Sequence, residues 1–201
     1  MMTKLLLAGA LTALLAVPAS AQQAPRTFIR GTVEKLDGQA LTVKTREGPQ
    51  VTVALPPDGT IHYLVKKSLT DIKDGDFVAT TSMKGTDGKN HSVELRIFPE
   101  SMRGLGEGQY PWDLMPDSLM TNATVTGIAR APLGQDLKVT YKGGESEIVV
   151  GPNTPIFTYG FGDTTLLKPG AAVFIVALKQ PDGSLSAAHV AAEKDGIKPS
   201  M

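Results

Sequence analysis

The chain has no cysteine among its 201 residues, which excludes a disulfide framework, a thiol nucleophile and a thiolate-held metal. It also lacks an excess of either charge, since 20 basic side chains balance 20 acidic ones. A dedicated nucleic-acid binder presents a basic face to phosphates, so neutrality argues against nucleic acid as a partner. Beyond the N-terminus no apolar run approaches the ~18 residues of a membrane span. A Gly-x-Ser-x-Gly elbow, a His-Glu-x-x-His pair and a phosphate loop are missing too, and the acidic residues are scattered rather than paired, so the expectation is a protein that is not an enzyme. With 41% apolar and 20% charged residues, the chain is nonetheless expected to fold.

The first 21 residues have the pattern of an export signal. Lys4 supplies a positive start, Leu5 to Val17 an apolar stretch, and Ala19-Ser20-Ala21 a small-x-small cleavage site. Thirteen residues rising about 1.5 Å each cannot cross roughly 30 Å of hydrocarbon, so cleavage after Ala21 is expected rather than anchoring. A lipid anchor at such a signal would need a cysteine. The expected location is therefore the periplasm, with no membrane span in the mature chain.

An internal repeat organises the remainder. Ile61 to Leu95 aligns without a gap onto Ile156 to Val190, each position displaced by 95. Ile72-Lys73-Asp74-Gly75 matches Leu167-Lys168-Pro169-Gly170, and Asp87-Gly88 matches Asp182-Gly183. Upstream, Thr32-Val33 corresponds to Thr124-Val125, and Leu41-Thr42-Val43 to Leu137-Lys138-Val139. Each copy alternates short period-2 runs with turn signals, the mark of an antiparallel β unit. Strands are expected near Ile29 to Leu36, Ala40 to Arg46, Gln50 to Leu55, Phe77 to Met83 and Ser92 to Phe98. In the second copy they fall near Ala123 to Arg130, Leu137 to Tyr141, Glu145 to Val150, Ala172 to Lys179 and Ala187 to Ala192. Ser68 is placed to cap one short helical turn through Ile72.

Five strands with a helical turn between the third and fourth is the order of a small Greek-key barrel of the oligonucleotide/oligosaccharide-binding (OB) type, with a sandwich-like unit as the alternative. The expectation is thus an all-β chain with two tandem five-stranded OB-like barrels, over 28–98 and 122–196, joined by an ordered, non-repetitive segment over 99–121.

Arg30-Gly31-Thr32-Val33, Leu69-Thr70-Asp71-Ile72-Lys73-Asp74-Gly75, Phe98-Pro99-Glu100-Ser101-Met102-Arg103-Gly104, Gly106-Glu107-Gly108-Gln109-Tyr110-Pro111-Trp112-Asp113 and Met120-Thr121-Asn122-Ala123-Thr124-Val125 carry a resemblance. On them the mature chain resembles exported proteobacterial proteins of unknown function built from two OB-like domains of the DUF5666 type. That resemblance implies the two-domain architecture and no particular activity.

The connecting segment is too apolar for a plain tether. It holds the only tryptophan, Trp112, with Met102, Tyr110, Met115 and Met120. Three readings are open. These side chains could fill the crevice between the two units as a docking strap. The thioethers and the indole could instead hold a soft ion such as Cu(I), since thioethers favour soft metals and an aromatic face attracts a cation. Tyr110 and Trp112 could also stack a sugar or another small ligand. Of the histidines, His62 corresponds to Phe157 in the second copy and reads as a packing position. His91 lies beside the Asp87-Gly88 turn and reads as exposed, and His189 aligns with Glu94. All three are further metal candidates, because ligands can converge from distant positions. The reading is a binding or scaffolding module for an unknown periplasmic protein or small ligand, without a required cofactor.

Overall fold

The period-2 runs and glycine turns become β-strands in the computed structural model, which describes residues 25–56, 58–131 and 134–200. The export signal expected over 1–21 lies outside these residues. Among the described residues there are thirteen strands and no α-helix. The first copy supplies β1 (Arg26–Asp37), β2 (Ala40–Thr45), β3 (Gln50–Ala54), β4 (Ile61–Lys67), β5 (Phe77–Lys84) and β6 (Asn90–Ile97). The connecting segment supplies β7 (Gly108–Trp112). The second copy supplies β8 (Ser118–Ala131), β9 (Gly134–Tyr141), β10 (Gly144–Val150), β11 (Ile156–Gly162), β12 (Ala172–Lys179) and β13 (Leu185–Ala192). All ten expected strands are present, and β4, β7 and β11 are additional. The expected helical turn is a 3₁₀ turn over Leu69–Asp71, where the Asp71 carboxylate accepts the Ser68 backbone N–H at 2.8 Å.

The all-β expectation holds, but the strands do not close within each copy. They form one continuous sheet in which the copies exchange their ends. β1, β2 and β3 pair in sequence, and the circuit is completed by β12 and β13 of the second copy, through β1–β12, β12–β13 and β13–β3. In the same way β8, β9 and β10 are completed by β5 and β6 of the first copy. Internal similarity shows which strands are equivalent, whereas the closed and exchanged arrangements present the same local pattern to the sequence. Two tandem units, each made of its own five strands, are therefore not the packing units of this chain.

Both cores are correspondingly mixed. One gathers Val33, Leu41, Val43 and Val53 from the first copy with Val173, Ile175 and Val190 from the second. The other gathers Val125, Leu137, Val139 and Ile148 with Val78 and Leu95. The turns carry the exchange as well: Gly75 N–H donates to the Val125 carbonyl at 2.9 Å, and Gly170 N–H to the Val33 carbonyl at 2.8 Å. Both glycines hold positive φ, +87° and +90°, a conformation that most side chains resist.

The strands that cross between the circuits are β4 and β11. They pair antiparallel with Leu64 opposite Tyr159, and these two residues are equivalent in the repeat. An approximate two-fold axis therefore passes through that pair and relates the whole molecule to itself. The β-bulges obey the same relation, falling at Thr81/Ser82 in β5 and Val176/Ala177 in β12, and at Val33/Lys35 in β1 and Val125/Gly127 in β8.

Because the chain lacks cysteine, the exchange can be read by disulfide formation. Thr32 lies opposite Ala172, a pairing whose Cα separation of about 4.5 to 5.5 Å suits a disulfide. Thr32→Cys with Ala172→Cys is expected to oxidise to an intramolecular bridge, seen by mass spectrometry. Thr32→Cys with Phe77→Cys, the pair an unexchanged fold would juxtapose, is expected to stay reduced, and the reverse result would overturn the exchanged topology.

Candidate functional site

Strands that face a core on one side face the opposite circuit on the other. This seam carries side chains alternate to the core positions: Phe28 and Arg30 on β1, Glu94 and Arg96 on β6, Phe174 on β12, and His189 on β13. The connecting segment is laid along the seam. β7 pairs antiparallel with β8, setting Tyr110 opposite Met120 and Trp112 opposite Ser118. Arg30 then clamps the segment by two parallel hydrogen bonds to the Asp113 carboxylate, at 2.8 and 2.9 Å. The same guanidinium lies 5.4 Å from the centre of the Trp112 ring and 5.0 Å from that of Phe174.

Trp112 packs against Phe28 at a ring separation of 4.5 Å and against Tyr110 at 6.1 Å. Buried Met120 and Ala79 complete the cluster with Phe174. Beneath it opens a cavity of about 200 Å³ whose aromatic wall comprises Phe28, Phe98, Tyr110, Trp112, Tyr159 and Phe174. Arg96, Asn122 and His189 also border it.

The polar part of the wall is a buried network. Arg96 is 1% exposed and donates from Nε to Glu94 at 2.9 Å and from Nη1 to the Tyr159 hydroxyl at 2.5 Å. Its Nη2 also lies 2.9 Å from Glu94, yet makes no aligned hydrogen bond. The other Glu94 oxygen accepts from Ser200, which brings the C-terminal segment onto the seam. Beside this network His189 stacks on His62 with ring centres 4.4 Å apart. Burial first, then the charge that His62 gains in acid and the Arg96 guanidinium, push His189 down to about 3. Burial also lowers His62, against the opposing effect of the Val190 carbonyl that its Nδ1 approaches at 3.3 Å. Both rings are thus neutral at pH 7.

The sequence candidates divide accordingly. Tyr110, Trp112 and Met120 are brought together on the seam cavity. Met102 joins a neighbouring cluster with Leu64, Tyr159 and Ala191, and borders a shallow cleft with His62 and His189. Met115 belongs to neither, lying in the turn where its backbone bonds the Ser118 hydroxyl. His91 is held at the surface by Asp87 at 3.0 Å, away from the others. Among the described residues no three His, Asp or Glu side chains gather as a metal-holding group. Phe28, Arg96, Asn122, Tyr159 and Phe174 also line the cavity, and the sequence alone does not single them out. The Glu94-x-Arg96 spacing is the available signal, because it sets two opposite charges side by side on one face of a strand whose other face carries Val93, Leu95 and Ile97.

Comparison of the chain with family models, with curated proteins and with solved structures finds no match.

Two outcomes are expected from this geometry. Trp112→Ala removes a buried ring from the seam and should cost about 3 to 5 kcal/mol in urea unfolding, while Met115→Ala, outside both clusters, should cost far less. The buried histidines make stability fall with acid. Their native pKa values lie below the ordinary 6.5, so the unfolded chain takes up protons first, and stability drops as pH falls from 6.5 towards 3. The slope approaches about 1.4 kcal/mol per pH unit for His189. Urea titrations between pH 7 and 5, where most carboxylates stay ionised, should show this loss in the parent and a shallower one in His189→Gln.

Proposed function

We propose that the chain is a non-catalytic binding protein of the exported compartment, which takes a small, ring-sized ligand into the seam cavity. In this reading the two strand circuits are OB-like barrels, and the connecting segment acts as both strap and binding wall. The observation that carries it is the cavity itself: about 200 Å³ walled by six aromatic rings. An apolar cavity of ~150 Å³ in a protein interior is enough to stay dry and admit benzene, so this space suits a single substituted ring. Pockets of this kind combine an apolar lining with a few polar groups. A ligand ring would stack on Tyr110 and Trp112, with Phe28 and Phe174 completing the wall. This reading is favoured over a soft-ion site because Met102, Trp112, Met115 and Met120 do not converge: Trp112 and Met120 share one cluster, Met102 lies in the next, and Met115 in neither.

Trp112 is the only tryptophan, so its emission reports on the cavity directly. Toluene at ten times its dissociation constant should shift that emission and stabilise the fold by about 1.4 kcal/mol, a rise of about 3 to 6 °C in melting temperature. Ala79→Phe places on β5 the residue that β12 already carries at the equivalent position, and should fill the cavity. The variant is expected to fold with toluene binding abolished. Unchanged emission and melting with toluene, phenol and indole would refute the reading.

A further inference from the structure

The seam cavity has a closed end and an open one, and strand register says which residues stand at each. On β1 the core residue Ile29 points one way, so Arg26, Phe28 and Arg30 point the other, onto the seam. Across the pairing with β12 they stand opposite Leu178, Val176 and Phe174, and all of these but Arg30 border the cavity. At the inner end Arg30 is buried and clamped to Asp113. At the outer end Arg26 is exposed, as are Leu105 and Ala188, and these three mark the mouth.

The charges of the wall are unequally matched. Among the described residues no carboxylate borders the cavity. Arg96 is answered by Glu94 at 2.9 Å, and His189 is neutral at pH 7. Arg26 forms no ion pair among the described residues. Glu107, next along the strap from the lining residue Gly106, turns its carboxylate to the Lys142 backbone N–H at 3.0 Å instead. The Arg26 charge nevertheless bears on the wall: burial raises the Tyr110 hydroxyl above its ordinary value, and Arg26 opposes that rise. An unmatched cation at the rim of an aromatic cavity suits a ligand whose ring enters while its anionic group stays at the mouth. Such an anion keeps most of its water, so the desolvation that forbids an unpaired buried carboxylate does not arise.

We infer that the seam cavity selects a small aromatic carboxylate, its ring among Phe28, Trp112 and Phe174 and its carboxylate held at the mouth by Arg26. This rests on the cavity being a ligand site, as proposed above. The two-fold relation shows that the fold itself does not call for a cation there. The equivalent of Arg26 on β8 is Ser118, which is buried under the strap and donates to the Trp112 and Met115 carbonyls at 3.0 and 2.7 Å. The strap covers that place in the second copy, and the place left open in the first carries the arginine.

Titrations read by Trp112 emission, with phenylacetate, benzylamine and toluene as probes, test the inference. The three share a ring and differ in charge. At low salt phenylacetate is expected to bind about fivefold tighter than benzylamine, since one meets Arg26 with attraction and the other with repulsion at a solvent-exposed site. Raising NaCl to about 0.5 M should shrink that ratio, because salt screens exposed charges. Arg26→Gln should abolish the preference, and Arg26→Lys should keep most of it; the side chain is exposed, so both variants are expected to fold. Equal binding of phenylacetate and benzylamine in the parent, or a preference that survives Arg26→Gln, overturns the carboxylate assignment alone, as does toluene binding where neither charged probe binds. Failure of all three probes overturns the ligand site on which the inference stands.

Discussion

The antiparallel pairing of β4 with β11 is the constraint from which the rest of the molecule follows. Leu64 and Tyr159 meet as equivalents, so each copy must reach the centre in an extended conformation and continue past it. Having crossed, β5 and β6 can only complete the circuit begun by β8 to β10, and β12 and β13 that begun by β1 to β3. Each core is then assembled from strands of both copies. Both gather residues from distant parts of the chain, Val33 with Val173 in the first and Leu95 with Ile148 in the second. Such non-local pairing carries a loop-closure cost that only the assembled structure offsets, which favours a single cooperative unit over two separable domains.

The two copies differ unequally on the two faces of the same strands. Core positions keep their character across the repeat: Ile61 and Ile156, Val78 and Val173, Leu95 and Val190. Seam positions diverge in complementary fashion, with Ala79 against Phe174, Arg96 against Ala191, Leu64 against Tyr159. Close packing explains the contrast, since a large side chain on one side of a two-fold seam needs a small one on the other. A dimer of identical chains could not do this. Joining the copies covalently permits one asymmetric cavity where strict symmetry would impose two equal ones.

Much of this is legible in the sequence. The period-2 runs located ten strands, the Ser68 cap located the 3₁₀ turn, and the apolar connecting segment pointed to Trp112, Tyr110 and Met120 as seam residues. His62 was placed as a packing residue by its correspondence to Phe157, and it does pack, edge-on to Tyr159 and Phe161 and stacked on His189. What stayed hidden was the pairing. Alternation shows that a strand has two faces and says nothing of which copy supplies its neighbour. β4 was missed because Val65 to Lys67 are exposed and its buried residues, Ile61 and Leu64, lie on opposite faces, so the period-2 signal cancels. Arg96 was missed for a related reason: a fully buried arginine is rare, and its place is intelligible only once Glu94 and Tyr159 are seen beside it.

The seam could have been built as a third apolar core, and stability alone does not account for the polar groups it carries. Two closed strand circuits with faces of Ala, Val and Phe would associate by burial alone, at about 25 cal/mol for each Å² removed from water. Replacing a buried ion pair by well-packed apolar residues is often neutral or stabilising, so stability does not require Arg96 and Glu94. Nor does it require an indole N–H and an amide oxygen left without partners. A strap whose only task was to glue the circuits together could carry leucine or phenylalanine at such positions, as Phe174 shows the site can accept. The polar groups of the seam therefore need an account other than the strength of the contact between the circuits.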